Sequence, residues 1–168
     1  TAASTPCTDP GSYARASYVH PGSDGVVIWA TTPGTYVTTG AGDDAIGVIS
    51  GANVLDGGAG SNFLVGGTGR DAFFVAADRS ALTWDTVVDF HSGDLLTLWG
   101  YVGGASHFSW AAEEGASGSK GATLHVSLAG DGRDDSLITF AGFSQAQAEA
   151  FGMRQGFSSG VPYLLVYH

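Results

Sequence analysis

Four consecutive nonapeptides in register constrain this chain more than any other feature. Residues 39–74 read TGAGDDAIG, VISGANVLD, GGAGSNFLV and GGTGRDAFF. The fourth position is always glycine (Gly42, Gly51, Gly60, Gly69). The sixth is Asp or Asn (Asp44, Asn53, Asn62, Asp71), and the eighth is a large apolar residue (Ile46, Leu55, Leu64, Phe73). Upstream, Val37 and Ile28 keep the eighth-position phase although the glycines are lost. Glycine accepts positive φ, so six residues can turn tightly. The other three make a short strand whose middle side chain points inward. One nonapeptide cannot bury that side chain alone, whereas stacked ones share a core. The pattern therefore predicts a stacked coil, and the simplest winding to consider is one in which two nonapeptides make one turn.

In such a coil, sixth positions two repeats apart lie above one another: Asp44 with Asn62, and Asn53 with Asp71. Strand spacing separates them by about 4.8 Å. Two carboxylates at that distance repel by roughly 3 kcal/mol at an effective dielectric of 20, and a divalent cation reverses the sign. Ca²⁺ takes about six to eight oxygens, which Asp side chains and turn carbonyls, those of Gly42, Gly60 and Gly69 among them, would supply. Because Asn53 and Asn62 replace acids, each pair carries one carboxylate. Stacked amides also need no cation, since they can hydrogen-bond up a ladder. Asp43 and Asp56 are possible sources of further oxygens.

The stretch resembles the RTX repeat, G-G-x-G-x-D-x-U-x, most specifically over residues 57–74 and well over 39–74. Residues 85–98, DTVVDFHSGDLLTL, resemble the D-x-I-x-D-F-x-x-G-D-x-x-x-L segment that follows the last repeat in C-terminal modules of serralysin-type proteases and alginate epimerases. Together with Trp99-Gly100, the pattern is most similar to modules of large secreted alphaproteobacterial proteins. The resemblance implies a calcium-loaded parallel β-roll, with Asp85 and Asp89 joining Asp71 at the last calcium site. It also implies export by the type I route, with folding outside the cell. Two readings of the cation stay open: weak sites along both rows of turns, or a metal-free middle with Ca²⁺ near Asp71, Asp85 and Asp89.

Composition narrows the function classes. The net charge is −10, which argues against a nucleic-acid partner. No apolar run approaches the ~20 residues of a membrane span. Glycine is 27 of 168 residues, and the acids are almost all Asp, a turn and ligand residue rather than a helix former. Cys7 is the sole cysteine, so no disulfide can form within the chain. There is no GxSxG, P-loop or HExxH motif, and His20, His91, His107, His125 and His168 show no metal-ligand spacing. A small β-helical lyase is a poor fit, because Arg70, Arg79, Lys120, Arg133 and Arg154 show no clear pairing with the acids. The expectation is a protein without enzymatic activity.

The expected organisation is one all-β domain: an irregular N-terminal cap over 1–25, a parallel β-roll or β-helix over 26–98, and a β-rich cap over 99–168. Alternation predicts strands at 122–128, 136–140 and 162–167, and one short helix over 144–154 with a capping box from Ser144 to Gln147. The turns at 115–121 and 130–135 separate them, and Asp131, Asp134 and Asp135 read as an ordinary acidic turn. Added strands would close the open end of the roll. The functional expectation is a non-catalytic, monomeric, calcium-binding module tethered to a larger secreted bacterial protein. The alternative is a carbohydrate-binding module on a polysaccharide-acting enzyme, with Trp99, Trp110, Trp84 and Tyr101 as the stacking candidates.

Overall fold

The computed structural model describes residues 16–77 and 79–168. Most of the expected N-terminal cap, Cys7 included, lies outside the described residues. The repeat winds as its period dictates, each nonapeptide ending in a short strand. Strands β1 (Ser17–Val19), β3 (Tyr36–Thr38), β5 (Val54–Asp56), β7 (Ala72–Ala76) and β9 (Leu95–Trp99) run parallel in one sheet. Strands β2 (Val27–Ala30), β4 (Ala45–Val48), β6 (Phe63–Val65) and β8 (Thr83–Val88) run parallel in the other. The result is a β-solenoid, and the fold is all-β as the nonapeptides require.

The eighth-position residues line one interior. Val37, Leu55, Phe73 and Leu96 are consecutive register partners in the first sheet; Ile28, Ile46, Leu64 and Val87 are their counterparts in the second. From Ile46 to Phe73 all four repeat residues are buried. Removing such side chains from water contributes about 1.5–3 kcal/mol each, and that burial holds the short strands together.

The C-terminal third extends both sheets to seven strands each. β12 (Ser136–Ala141) adds to β8 in parallel, and β11 (Gly121–Ser127) and β10 (His107–Glu114) follow antiparallel. β14 (Val161–Tyr167) and β13 (Gly152–Ser158) add antiparallel to β9. A cluster of Phe90, Phe140, Phe143, Phe151 and Trp110 fills the interior at this end.

The structure differs from expectation at three places. Residues 17–19, expected in the irregular cap, form β1 against β3. The helix α1 is confined to Gln145–Ala148, although its capping box is present. Past it, Phe151 turns into the core and β13 begins at Gly152, so the end of the expected helix is strand. β10 and β13 were not expected as strands, because both lie at sheet edges and neither alternates clearly between buried and exposed residues.

Candidate functional site

The sixth-position side chains point inward and build two ladders. In the first, Asp44 Oδ1 accepts the Val26 N–H at 2.8 Å, Asn62 Oδ1 accepts the Asp44 N–H at 3.1 Å, and Asp85 Oδ1 accepts the Asn62 N–H at 3.0 Å. In the second, Asn53 Oδ1 accepts the Thr35 N–H at 2.9 Å, Asp71 Oδ1 the Asn53 N–H at 2.9 Å, and Asp94 Oδ1 the Asp71 N–H at 2.8 Å. All six side chains are buried. Each rung thus satisfies a backbone donor of the coil before it, a donor that burial would otherwise leave unpaired.

Asn and Asp differ in what the second terminal atom does. Asn53 Nδ2 donates to the Gly51 carbonyl at 2.9 Å and to Asp71 Oδ1 at 2.7 Å. Asn62 Nδ2 donates to Asp85 Oδ1 at 3.0 Å and more weakly to the Gly60 carbonyl at 3.4 Å. The corresponding Oδ2 atoms of Asp44, Asp71 and Asp85 are buried without a hydrogen-bond partner among the described residues. Asp71 Oδ2 stands where an amide nitrogen stands one repeat earlier. A Cβ added to Gly57 would lie 2.9 Å from Asn62 Nδ2, and one added to Gly66, nine residues on, 3.1 Å from Asp71 Oδ2. An acceptor therefore fills a slot shaped for a donor. Such an atom needs a proton or a cation.

The electrostatics follow. Burial pushes the Asp85 carboxyl up to about 7, against hydrogen bonds from Asn62, and the Asp43 charge adds to the rise. Burial, with the Asp94 charge, also holds Asp71 above the usual carboxylate range despite its bonds from Asn53.

The fourth-position glycines keep the turns thin enough to stack. A Cβ on Gly60 would sit 2.3 Å from the Gly42 carbonyl oxygen, and one on Gly69 2.1 Å from that of Gly51. Both residues also have positive φ.

Sequence-predicted site residues are only partly brought together. Asp44 with Asn62, and Asn53 with Asp71, stack as expected. Asp85 belongs to the Asp44 ladder, not beside Asp71, and Asp89 is exposed at a positive φ outside both ladders. Asp94 occupies the rung above Asp71. The interval from Asn62 to Asp85 is 23 residues, and so is that from Asp71 to Asp94, so the spacing held a signal for Asp94. Among the described residues, no three His, Cys, Asp or Glu side chains converge as a ready metal cage. A cation in either ladder would draw on one or two carboxylates and complete its shell with Asn and turn carbonyl oxygens, a donor set hard enough for Ca²⁺.

The aromatic candidates separate. Tyr101 is buried and its hydroxyl donates to the Ser106 carbonyl. Trp110 packs inward against Phe140 and Phe151. Tyr101 is therefore closed to a ligand, and Trp110 is half-buried. Trp99 lies on the outer face of the first sheet, stacked on Phe74 at 6.2 Å with Tyr163 edge-on at 5.6 Å. Trp84 is exposed on the outer face of the second sheet. Asp131, Asp134 and Asp135 are all engaged by protein donors, as an ordinary acidic turn requires. No helix among the described residues is long and apolar enough to cross a membrane.

No family model, curated protein or solved structure matches the chain.

Proposed function

We infer that the chain is a non-catalytic calcium-binding module of a secreted bacterial protein, tethered to a larger partner and folding on Ca²⁺ after export by the type I route. The observation that carries this reading is the set of buried Oδ2 atoms on Asp44, Asp71 and Asp85, each without a partner among the described residues. In a cell interior poor in calcium, those carboxylates oppose compaction. Outside, a cation supplies the missing partner, and its binding free energy becomes folding free energy. The residues that would hold it are Asp71 and Asp94 in one row, and Asp44, Asn62 and Asp85 in the other, with turn carbonyls at Gly42, Gly60 and Gly69. The test is thermal unfolding with Ca²⁺ and with a chelator. The expected result is a melting temperature that rises with calcium concentration. An unchanged melting temperature in chelator removes the cation from this reading and leaves the coil.

A further inference from the structure

The edge strand β10 is fastened at its end by charge. His125, on β11, lies between two acids: its Nδ1 is 2.8 Å from Asp134 Oδ2, and its Nε2 is 2.7 Å from Glu114 Oε2. Ionised carboxylates only accept, so the ring bonds both when each nitrogen carries a proton. Burial lowers the histidine pKa, but Asp134 and Glu114 outweigh it and hold it above its ordinary value. The neighbouring charges are engaged elsewhere. Arg133 donates to Asp135 and to the Arg79 carbonyl, and Asp131 accepts from Ser127 Oγ and the Arg133 N–H. His107, on the same face of β10, lies against Gly130, and Glu113 is exposed. The strands on the other side present Leu137, Thr139 and Trp84, none of which carries a charge.

Losing one proton leaves a single N–H for two acceptors, so one contact must break. Asp134 sits in a turn pinned by its neighbour. The Asp135 N–H donates to the Val126 carbonyl, and the Asp135 carboxylate accepts the Leu128 N–H and the Arg133 guanidinium. Glu114 instead follows a bulge, where pairing with β11 slips between Ala111 and Glu114 and Glu113 is held at a φ of 58°. A residue with a side chain takes that conformation only at a cost. Glu114 is therefore the partner that lets go.

The loop after Glu114, residues 115–120, connects β10 to β11. Its first residue packs on β12: a Cβ added to Gly115 would sit 2.9 Å from Thr139 Cγ2. Its tip stands free, since nothing lies within 4 Å of a Cβ added to Gly118. Gly115 and Ala116 from the loop, with Trp84 and Thr86 from β8, line a cavity of about 340 Å³. We propose that this loop is a proton-latched wall of the Trp84 cavity. With both nitrogens of His125 protonated, Glu114 holds the loop against the sheet. When one proton leaves to solvent, Glu114 is released, the loop swings out and the cavity opens over Trp84. The device belongs to the fold and does not rest on the cation reading.

The experiment is NMR of the full chain in Ca²⁺ from about pH 5.5 to about pH 9, a range that brackets a raised histidine pKa. As His125 titrates, the Ala116 methyl should become more mobile. Broadening of the Trp84 ring protons by a soluble gadolinium chelate should grow by about twofold or more as the open state fills. Glu114→Gln offers neutral His125 a donor in place of an acceptor, so this variant should stay closed at both ends of the range. Glu114→Asp, one methylene shorter, should be open at both. Asp85 is present in all three chains, so the contrast among them belongs to His125. A loop that stays closed through the wild-type titration overturns the proposal. So does opening that persists in Glu114→Gln, closure of Glu114→Asp at low pH, or carboxyl shifts showing that Asp134 is released and Glu114 retained.

Discussion

Asp94 Oδ1 accepts the Asp71 N–H at 2.8 Å, which puts two carboxylates on consecutive buried rungs of one ladder. In the other row the amide of Asn62 stands between Asp44 and Asp85. Asp94 Oδ2 accepts the His91 N–H at 2.6 Å, while Asp71 Oδ2 has no partner among the described residues. Asp71 Oδ2 is therefore an uncompensated acceptor one rung away from a second buried carboxylate.

Two substitutions at Asp71 should move stability in opposite directions. Asp71→Asn keeps an oxygen for the Asn53 N–H and places a donor where the unpartnered oxygen stood. In chelator it should stabilise the fold by about 1–2 kcal/mol. It should also shrink the gain in melting temperature produced by Ca²⁺. Asp71→Ala strips both Asn53 donors of their acceptor and should cost about 2–3 kcal/mol. Urea titrations with and without Ca²⁺ measure both. Equal destabilisation by the two variants would mean that Asp71 Oδ2 is not an uncompensated acceptor.

The Asp85 carboxyl predicts a pH dependence. Its folded pKa, pushed up to about 7 by burial, lies above its unfolded value near 3.8. The native state keeps a proton that the unfolded chain has released. The stabilisation is therefore complete below the unfolded value and is lost as pH rises through about 7. Metal-stripped protein should melt at a lower temperature at pH 8 than at pH 5. Asp85→Asn, with no proton to lose, should flatten that difference. A wild-type profile that rises over this range would contradict the assignment.

Glycine substitutions should separate the stacked turns from the ordinary ones. Gly69→Ala forces a methyl to within 2.1 Å of the Gly51 carbonyl oxygen at a positive φ. It should cost about 3 kcal/mol or more, enough to unfold a marginal domain. Gly132 also has positive φ, yet nothing lies within 4 Å of its added Cβ. Gly132→Ala should cost about 1 kcal/mol, the conformational term alone. Comparable losses at the two sites, measured by thermal unfolding, would show that close approach of the coils is unimportant.

These expectations trace back to how much of the molecule a nine-residue period reveals. Ile46, Leu55, Leu64 and Phe73 repeat at one position because they share one core, and sequence spacing reads that directly. Asp44, Asn53, Asn62 and Asp71 read as ladders for the same reason. Past Phe74 the interval changes, so the rung at Asp94 was hidden although it shares its 23-residue step with Asp85. Edge strand β10 carries no such signal, because solvent reaches its positions on both faces and its residues do not alternate.

His125 provides a second, independent titration. Its Nδ1 lies 2.8 Å from Asp134 Oδ2 and its Nε2 2.7 Å from Glu114 Oε2, so an imidazolium donates to both. Burial alone would pull the histidine pKa down. The hydrogen bonds and charges of Asp134 and Glu114 outweigh it and hold the pKa above its ordinary value. The resulting stabilisation is complete below the ordinary histidine range and is lost as pH climbs through the raised folded value. Because the acids are partly exposed, solvent screening limits the effect to about 1 kcal/mol. His125→Gln should therefore destabilise the protein near pH 5.5 and make little difference near pH 9, when Asp85 is replaced by Asn in both chains. Direct NMR titration of the imidazole checks the same point. A His125 pKa at or below the free-histidine value would show that the two carboxylates do not clasp a charged ring.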